Sequence, residues 1–361
     1  MKPVKVDVLV PRYGGFGGTE HVINLVASHF NQNASSEVEF RIVLPKGTEN
    51  NQWLGNNPVF RNKITGPTSL VRNLTGSGWV LGYLLKTDAD IVIGISTRMI
   101  AFANRARKFF HKKYKIVSWL HFSLMHAKRL KLDDLRLADY HLAISSGIKS
   151  QMIDAGIDSE RVFTIFNPAE RVTQIVQPSS VPTFIFMGRQ QFTTQKNLKE
   201  LLDGLKIYQT TFGKNWQIRI FGTGPDENEI KEYTLKLGLS DKVIFEGYST
   251  DAWAKITNAT ALILTSKFEG LPMVAIESVS RGLPVVSANF DTGADDIVKP
   301  QTGLIYELGN PVDLAEKLAK IFEIRSKYNL QDMTGTLRDM YADNYYAYLE
   351  KILKEIANEA D

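Results

Sequence analysis

The stretch "ALILTSKFEGLPMVAIES", residues 261–278, holds one repeating unit of an α/β fold in a single line. Ala261–Thr265 is a short apolar run, the signature of a β-strand covered on both faces. Glu269 falls in the loop after it. Pro272 suits the start of a helix, where the N–H it lacks would be unpaired anyway. Gly270, Leu271, Pro272, Met273 and Val274 then build a helix beginning whose backbone N–H groups face outward, a seat for an anion. Glu277 lies about one and a half turns into that helix, among the apolar residues Val274, Ala275, Ile276 and Val279. The two carboxylates therefore flank an anion-binding helix end. They do not form a close pair sharing one proton, as in a glycoside hydrolase.

The same strand–loop–helix unit recurs outward in both directions. Expected strands before the midpoint are Val4–Val10, Phe40–Leu44, Ile91–Ile95, Ile116–Leu120 and His141–Ile144, with another at Val162–Phe166. After it come Thr183–Met187, Gln217–Phe221, Lys242–Phe245, Ala261–Thr265, Pro284–Ser287 and Gly303–Tyr306. Helical patterns over 198–211, 225–237 and 311–323 lie between them. This alternation predicts doubly wound α/β domains with parallel sheets. It pauses at "RVTQIVQPSSVP", residues 171–182, which the prolines and serines mark as a linker. The expectation is a first Rossmann-like domain over 1–170, a second over 183–335, and a C-terminal helix over 336–361. Ligands of such sheets bind beyond the carboxyl ends of the strands, so two domains facing each other would make a cleft lined by loops like the one quoted.

Composition sets outer limits. The chain has 361 residues, 43% hydrophobic and 23% charged, which suits a globular protein of two domains. No apolar run reaches the roughly 18 residues of a membrane-spanning helix. The start, "MKPVKVDVLVPRYGG", is broken by Lys5 and Asp7 and reads as a first strand rather than a signal peptide. Cysteine is absent, which excludes disulfides and cysteine-bound zinc and fits a reducing compartment.

Four further loops carry polar residues at strand ends. In "PRYGGFGGTEHVINLV", residues 11–26, Gly15, Gly17 and Gly18 open a helix; they serve either a tight turn or close approach to a ligand, and the spacing is not that of a dinucleotide fingerprint. His121 in "SWLHFSLMH" stands just past the strand ending at Leu120, as a structural residue or at the ligand edge. Gly188 and Arg189 follow the strand Thr183–Met187, and Lys196 precedes the next helix; the pair is either a diphosphate clasp or two solvated cations. Gly222 and Gly224 in "FGTGPDENEI" read first as a structural turn and second as a nucleotide contact.

Taken together these residues resemble the retaining glycosyltransferases of the GT-B fold, family 4. "EGLPMVAIE" is similar to that family's motif of two glutamates with seven residues between them, and Gly188-Arg189 with Lys196-Asn197 to its donor-diphosphate element. "SWLHFSLMHAKR", "LADYHLAISSGIKSQM", "NPAE" and "LTSKFEGLPM" resemble a narrower group, the bacterial lipopolysaccharide 1,6-galactosyltransferases. The resemblance implies a GT-B fold whose last helix crosses back to the first domain. It implies transfer of a hexose, with retention, from UDP-galactose or UDP-glucose to a glycan or lipid-linked acceptor of cell-surface polysaccharide synthesis. Arg189 and Lys196 would bind the diphosphate, Glu277 the ribose, Glu269 the hydroxyls of the sugar, and His121 the sugar from the first domain. Gly15, Gly17, Gly18, Gly188, Gly222 and Gly270–Val274 would line the donor site. No cofactor or metal is expected, since the two cations cover the leaving group; Asp88-Ala89-Asp90 matches a metal-binding signature but precedes its strand and so sits at the wrong end of the sheet.

Net charge is only +4, yet "NRARKFFHKKYK", residues 104–115, interleaves six basic residues with Phe109, Phe110 and Tyr114. The run extends outward to Arg98, Lys128, Arg129, Lys131 and Arg136. It reads as a solvated face or a contact with anionic lipid; no nucleic-acid module accompanies it. The expected location is cytoplasmic, at the inner face of the membrane. Competing readings are a nucleotide-sugar epimerase on the same fold and a non-catalytic sugar-nucleotide-binding partner.

Overall fold

The computed structural model describes residues 2–15, 17–63, 68–126 and 130–359. The chain divides into two compact units, Met1–Pro168 with Ala342–Asp361, and Ala169–Tyr341.

The first unit holds strands β1 (Val4–Leu9), β2 (Val38–Leu44), β3 (Val59–Arg61), β4 (Ile91–Gly94), β5 (Lys115–Leu120), β6 (Tyr140–Ala143) and β7 (Val162–Thr164). Its helices are α1 (Gly18–Gln32), α2 (Ser69–Lys86), α3 (Thr97–Phe109), α4 (Leu132–Leu135) and α5 (Ser146–Asp154). The strand order is β3-β2-β1-β4-β5-β6-β7, every pair parallel. The second unit holds β8 (Thr183–Met187), β9 (Gln217–Phe221), β10 (Val243–Gly247), β11 (Ala261–Leu264), β12 (Val285–Ala288) and β13 (Gly303–Tyr306). Between and after them run α6 (Leu198–Thr211), α7 (Glu227–Lys236), α8 (Met273–Ser280), α9 (Pro311–Ile324) and α10 (Leu330–Gly335). The order is β10-β9-β8-β11-β12-β13, again all parallel. Parallel strands need crossover helices on the sheet faces, and β4, β11 and β12 are buried at every residue, as their unbroken apolar runs require.

In each sheet the winding reverses once, between β1 and β4 and between β8 and β11. Connections leave adjacent strands in opposite directions there, which opens a crevice at the carboxyl ends. The quoted stretch comprises β11, the loop after it and most of α8, at the second switch point.

The final helix, α11 (Ala342–Asn358), returns to the first unit, where it packs on β1, β2 and β4. It buries Tyr345, Leu349, Ile352, Leu353 and Ile356, a stripe at helical spacing. His29 stacks on Tyr346 at 3.6 Å, and Glu37 pairs with Lys354 while its backbone N–H donates to Glu350 at 2.8 Å.

Two expectations are corrected. Arg171–Pro182 is not a free linker. The backbone of Val176 donates to Arg281 (2.9 Å), that of Gln177 to Thr257 (3.0 Å), and the buried Arg325 donates to the Val176 carbonyl (3.0 Å). These bonds fasten the segment along the second unit, and the chain passes between units at 168/169 and 341/342. The other is β3, a three-residue edge strand with largely exposed side chains, which had not been expected.

Candidate active site

The loop from Gly188 to Asn197 leaves β8 and is sewn to its neighbours on both sides. Toward β9, the N–H of Gly188 donates to Phe221 (3.0 Å), that of Gln190 to Thr223 (3.0 Å), and Gln190 Nε2 to the Gly222 carbonyl (2.7 Å). Gly222 has φ +112°, and a Cβ there would lie 2.1 Å from the Gly188 carbonyl oxygen. Backbone-to-backbone approach thus accounts for a glycine at 222. Toward β11, Thr265 Oγ1 donates to the Lys196 carbonyl (2.9 Å), and the N–H of Lys267 donates to that of Gln195 (2.8 Å). Asn197 takes the left-handed conformation, φ +52°, which asparagine tolerates better than most residues. It ends the loop and starts α6.

These ties bring Lys196 to Glu269. Lys196 Nζ donates to Glu269 Oε1 at 2.5 Å, and both side chains are largely shielded from solvent. Thr292 Oγ1 donates to the Glu269 carbonyl at 2.7 Å, and Gln195 Nε2 to the Phe268 carbonyl at 3.1 Å. The glutamate is therefore held at both its carboxylate and its backbone. Arg189 is exposed, and no ion pair or side-chain hydrogen bond engages it among the described residues. The outcome is one exposed cation and one shielded, paired cation on the same loop.

Pro272 caps α8 and supplies no side chain to its amides, and the first turn carries no acidic residue. Ala275 and Ile276 donate back to the Pro272 carbonyl, so Met273 and Val274 carry the amides that precede the first intrahelical bond. The positive end of the helix dipole lies there. Four residues further, Glu277 accepts a hydrogen bond from Trp253 Nε1 at 2.8 Å.

The first unit presents a different picture. Gly15 has φ +87°, and a Cβ on it would crowd the Asn50 carbonyl at 2.8 Å. Its N–H donates to Glu20 Oε1 at 2.9 Å, and a Cβ on Gly17 would meet Glu20 Oε2 at 2.6 Å. Gly17 caps α1 and Gly18 is its first residue. The glycine loop is thus wrapped around a carboxylate of its own chain. His121 follows β5 half-buried, with its ring 4.7 Å from that of Trp119. Its Nε2 and the Trp119 Nε1 are sealed from solvent without a partner, and burial lowers the His121 pKa to about 3. Burial thus favours the neutral imidazole.

Asp88 and Asp90 lie ahead of β4, at its amino end. Asp88 accepts from Arg41 at 2.6 Å and pairs with Lys5, while Asp90 accepts the Lys5 N–H at 2.8 Å. The basic segment is only partly a surface. Tyr114 is core rather than an exposed aromatic, because its hydroxyl donates to the Ala103 carbonyl (2.8 Å) and its ring is buried. Arg107 pairs with Asp139, and Lys112 donates to the Thr87 carbonyl (3.0 Å). Arg105, Lys108, Lys113 and the 79%-exposed Phe109 remain outward. An apolar groove of about 590 Å³ runs beside them, lined by Leu81, Arg105, Ala106, Lys108, Phe109 and Phe110. Lys128 and Arg129 lie outside the described residues. Among the described residues no helix is long and apolar enough to cross a membrane.

Sequence reasoning missed Gln195, Thr265, Thr292, Trp253 and Glu20. Glu20 had a local signal, an acid three residues past the helix cap. Thr292 follows β12, next to β11 in the sheet, and only strand order reveals that nearness.

Two all-parallel Rossmann-like units, with the polar residues of the second gathered at its switch point, define the GT-B class. Residues 170–336 match the family model for glycosyl transferases group 1. Over 353 residues the chain is 34% identical to the lipopolysaccharide 1,6-galactosyltransferase of Salmonella typhimurium, covering 95% of this chain and 96% of that one. The Escherichia coli enzyme of the same name is 32% identical over 363 residues, covering 97% and 98%. The solved structure of lipopolysaccharide outer core galactosyltransferase WaaB superimposes with a TM-score of 0.86 at 33% identity, covering 98% of this chain and all (100%) of that one. Anabaena HepE in complex with UDP shares the fold, with a TM-score of 0.80 at 17% identity over 98% of this chain and 100% of that one. The chain belongs to the group 1 glycosyl transferases and is a glycosyltransferase.

Proposed function

We propose that this enzyme moves a hexose from UDP-galactose or UDP-glucose onto a growing lipopolysaccharide core or a similar lipid-linked glycan, with retention at the anomeric carbon, as expected of family 4. The observation that carries this reading is the full-length likeness to two lipopolysaccharide 1,6-galactosyltransferases, joined to a switch-point loop bearing Arg189 and Lys196. In the reaction the bond from the sugar to the diphosphate breaks and UDP leaves as an anion. Arg189, Lys196 and the amides at the start of α8 are the groups suited to stabilise that charge, and such stabilisation is often the largest catalytic contribution. Lys196 already holds Glu269, so it bridges the departing phosphate and the carboxylate assigned to the sugar hydroxyls. Glu277 takes the ribose. Gly188, Gly222 and Gly270 are assigned to line the nucleotide.

The family resemblance assigns His121 to the sugar and the loop of Gly15, Gly17 and Gly18 to the donor. The acceptor oxygen attacks from the face the diphosphate leaves, and a phosphate oxygen takes its proton, so no protein nucleophile is needed. The leaving group is neutralised without a divalent ion; loss of activity in a chelator, restored by manganese, overturns that part. Arg105, Lys108, Lys113 and Phe109 dock on an anionic lipid surface, since exposed cations beside an apolar groove complement acidic headgroups. Vesicle binding that survives Phe109→Ser combined with charge removal at those three positions refutes the docking.

The decisive experiment incubates the protein with UDP-galactose, UDP-glucose, UDP-N-acetylglucosamine and GDP-mannose, with and without a truncated lipopolysaccharide core. UDP release that requires the acceptor, with an α-linked product from an α-linked donor, is the expected result. Absence of turnover with every donor refutes the reading.

A further inference from the structure

Glu277 is not free to move. Trp253 sits in a short turn after β10, only 9% exposed, and its indole Nε1 donates to Glu277 Oε2 at 2.8 Å. The indole is itself fixed. Arg281 lies over its ring with the guanidinium carbon 4.7 Å from the centroid, and Arg281 Nη1 donates to the Glu277 carbonyl at 2.9 Å, at the end of α8. On the other side Gln174 Nε2 donates to the Trp253 carbonyl at 2.6 Å. Glu277, Trp253 and Arg281 form a closed ring of contacts, and no partner engages Glu277 Oε1 among the described residues. An ionised carboxylate offers about four acceptor positions. One is spent on the indole, and the rest stay available to a ligand bearing neighbouring hydroxyls.

We infer that Trp253 is a positioning residue for the nucleotide: by anchoring Oε2 it holds the Glu277 carboxylate in the orientation that receives the two ribose hydroxyls. The inference rests on the assignment of Glu277 to the ribose. A glutamate side chain that must be ordered on binding costs affinity, and one ordered beforehand does not. Trp253 thus acts through Glu277 and has no contact of its own with the reacting atoms.

The test is a double-mutant cycle read by calorimetric titration of UDP into the full-length protein. Trp253→Phe keeps a ring under Arg281 and removes the N–H, and should weaken UDP binding about tenfold. Glu277→Ala should weaken it at least as much. The double variant should bind UDP no more weakly than Glu277→Ala alone, because the indole has nothing left to hold. Losses that multiply in the double variant, or Trp253→Phe binding UDP as tightly as wild type while Glu277→Ala does not, overturn the inference. Should Glu277→Ala bind UDP normally, the ribose assignment itself falls, a result distinct from either. Trp253→His, whose ring N–H can donate, should restore part of the lost affinity. It also serves as the second variant should Trp253→Phe not fold.

Discussion

Each unit starts a helix beside the switch point of its sheet, after β1 on one side in the first and after β11 on the other side in the second, and the two starts are treated in opposite ways. After β1 the glycine loop leads into α1, and the carboxylate of Glu20 folds back onto the Gly15 amide. After β11 the loop leads into α8, whose cap is a proline and whose first turn has no acid. A helix start attracts one negative charge. In the first unit an acid of the first turn supplies that charge; in the second the first turn has none.

The largest effect expected from this contrast is at Lys196. Lys196→Ala should lower kcat about 100- to 1000-fold, the usual cost of losing one donor to a developing anion. Steady-state kinetics that showed a fall below about tenfold would shift leaving-group stabilisation to Arg189 and the α8 amides alone. Next comes a split between the two glutamates. Glu277→Ala should weaken UDP binding about tenfold or more, whereas Glu269→Ala should spare UDP binding and slow transfer. The reverse pattern in paired binding and rate measurements would turn the nucleotide end for end on α8.

A third effect separates the units by acid. All six histidines fall in the first unit and none in residues 169–341. His141 is buried beside Ser118, with Nδ1 2.7 Å from Oγ, and burial lowers its pKa from 6.5 to about 4. His121 is lowered in the same direction. Between those values the unfolded chain binds more protons than the folded one, so this stability is present above pH 6.5 and is lost as pH falls toward 4. Each pH unit within the window should cost the first unit about 1 kcal/mol from His141. Hydrogen exchange at pH 7 and pH 5 should show protection falling in β5 and β6 and holding in β8 and β11. Equal loss in both sheets would remove the histidines as the cause.

The smallest effect is at Glu20. Glu20→Ala removes the acceptor of the Gly15 N–H and the acid of the first turn of α1, and should cost about 1 kcal/mol of stability with UDP affinity unchanged. A rise in UDP affinity would mean that the first loop is an anion site which Glu20 closes.

Legibility followed burial. The expected bounds of β8, β9, β13 and α6 coincide with the observed ones, and those of the fully buried β4, β11 and β12 differ by a residue, because a largely covered strand or an amphipathic helix declares itself locally. The edge strand β3 is short and exposed, so no apolar run marked it. Residues 171–182 have the composition of a tether, and what ties them down is Arg325, about 150 positions away and held there by packing. The glutamates of "EGLPMVAIE" were visible as a pattern. Their partners Lys196 and Trp253 are 73 and 24 residues distant, and such pairings are decided by strand order and loop anchoring rather than by neighbours in the chain.

The passage of the chain at 168/169 and 341/342 makes the second unit a cassette. Its ends are stitched together: Ala169 bridges Tyr341, its N–H donates to Met340 at 2.6 Å, and Arg171 lies over the Tyr341 ring. Residues 169–341 are therefore one uninterrupted segment, entered and left at a single pair of neighbouring points. The first unit is written in two pieces, and its sheet gains α11 only after the whole cassette has been translated.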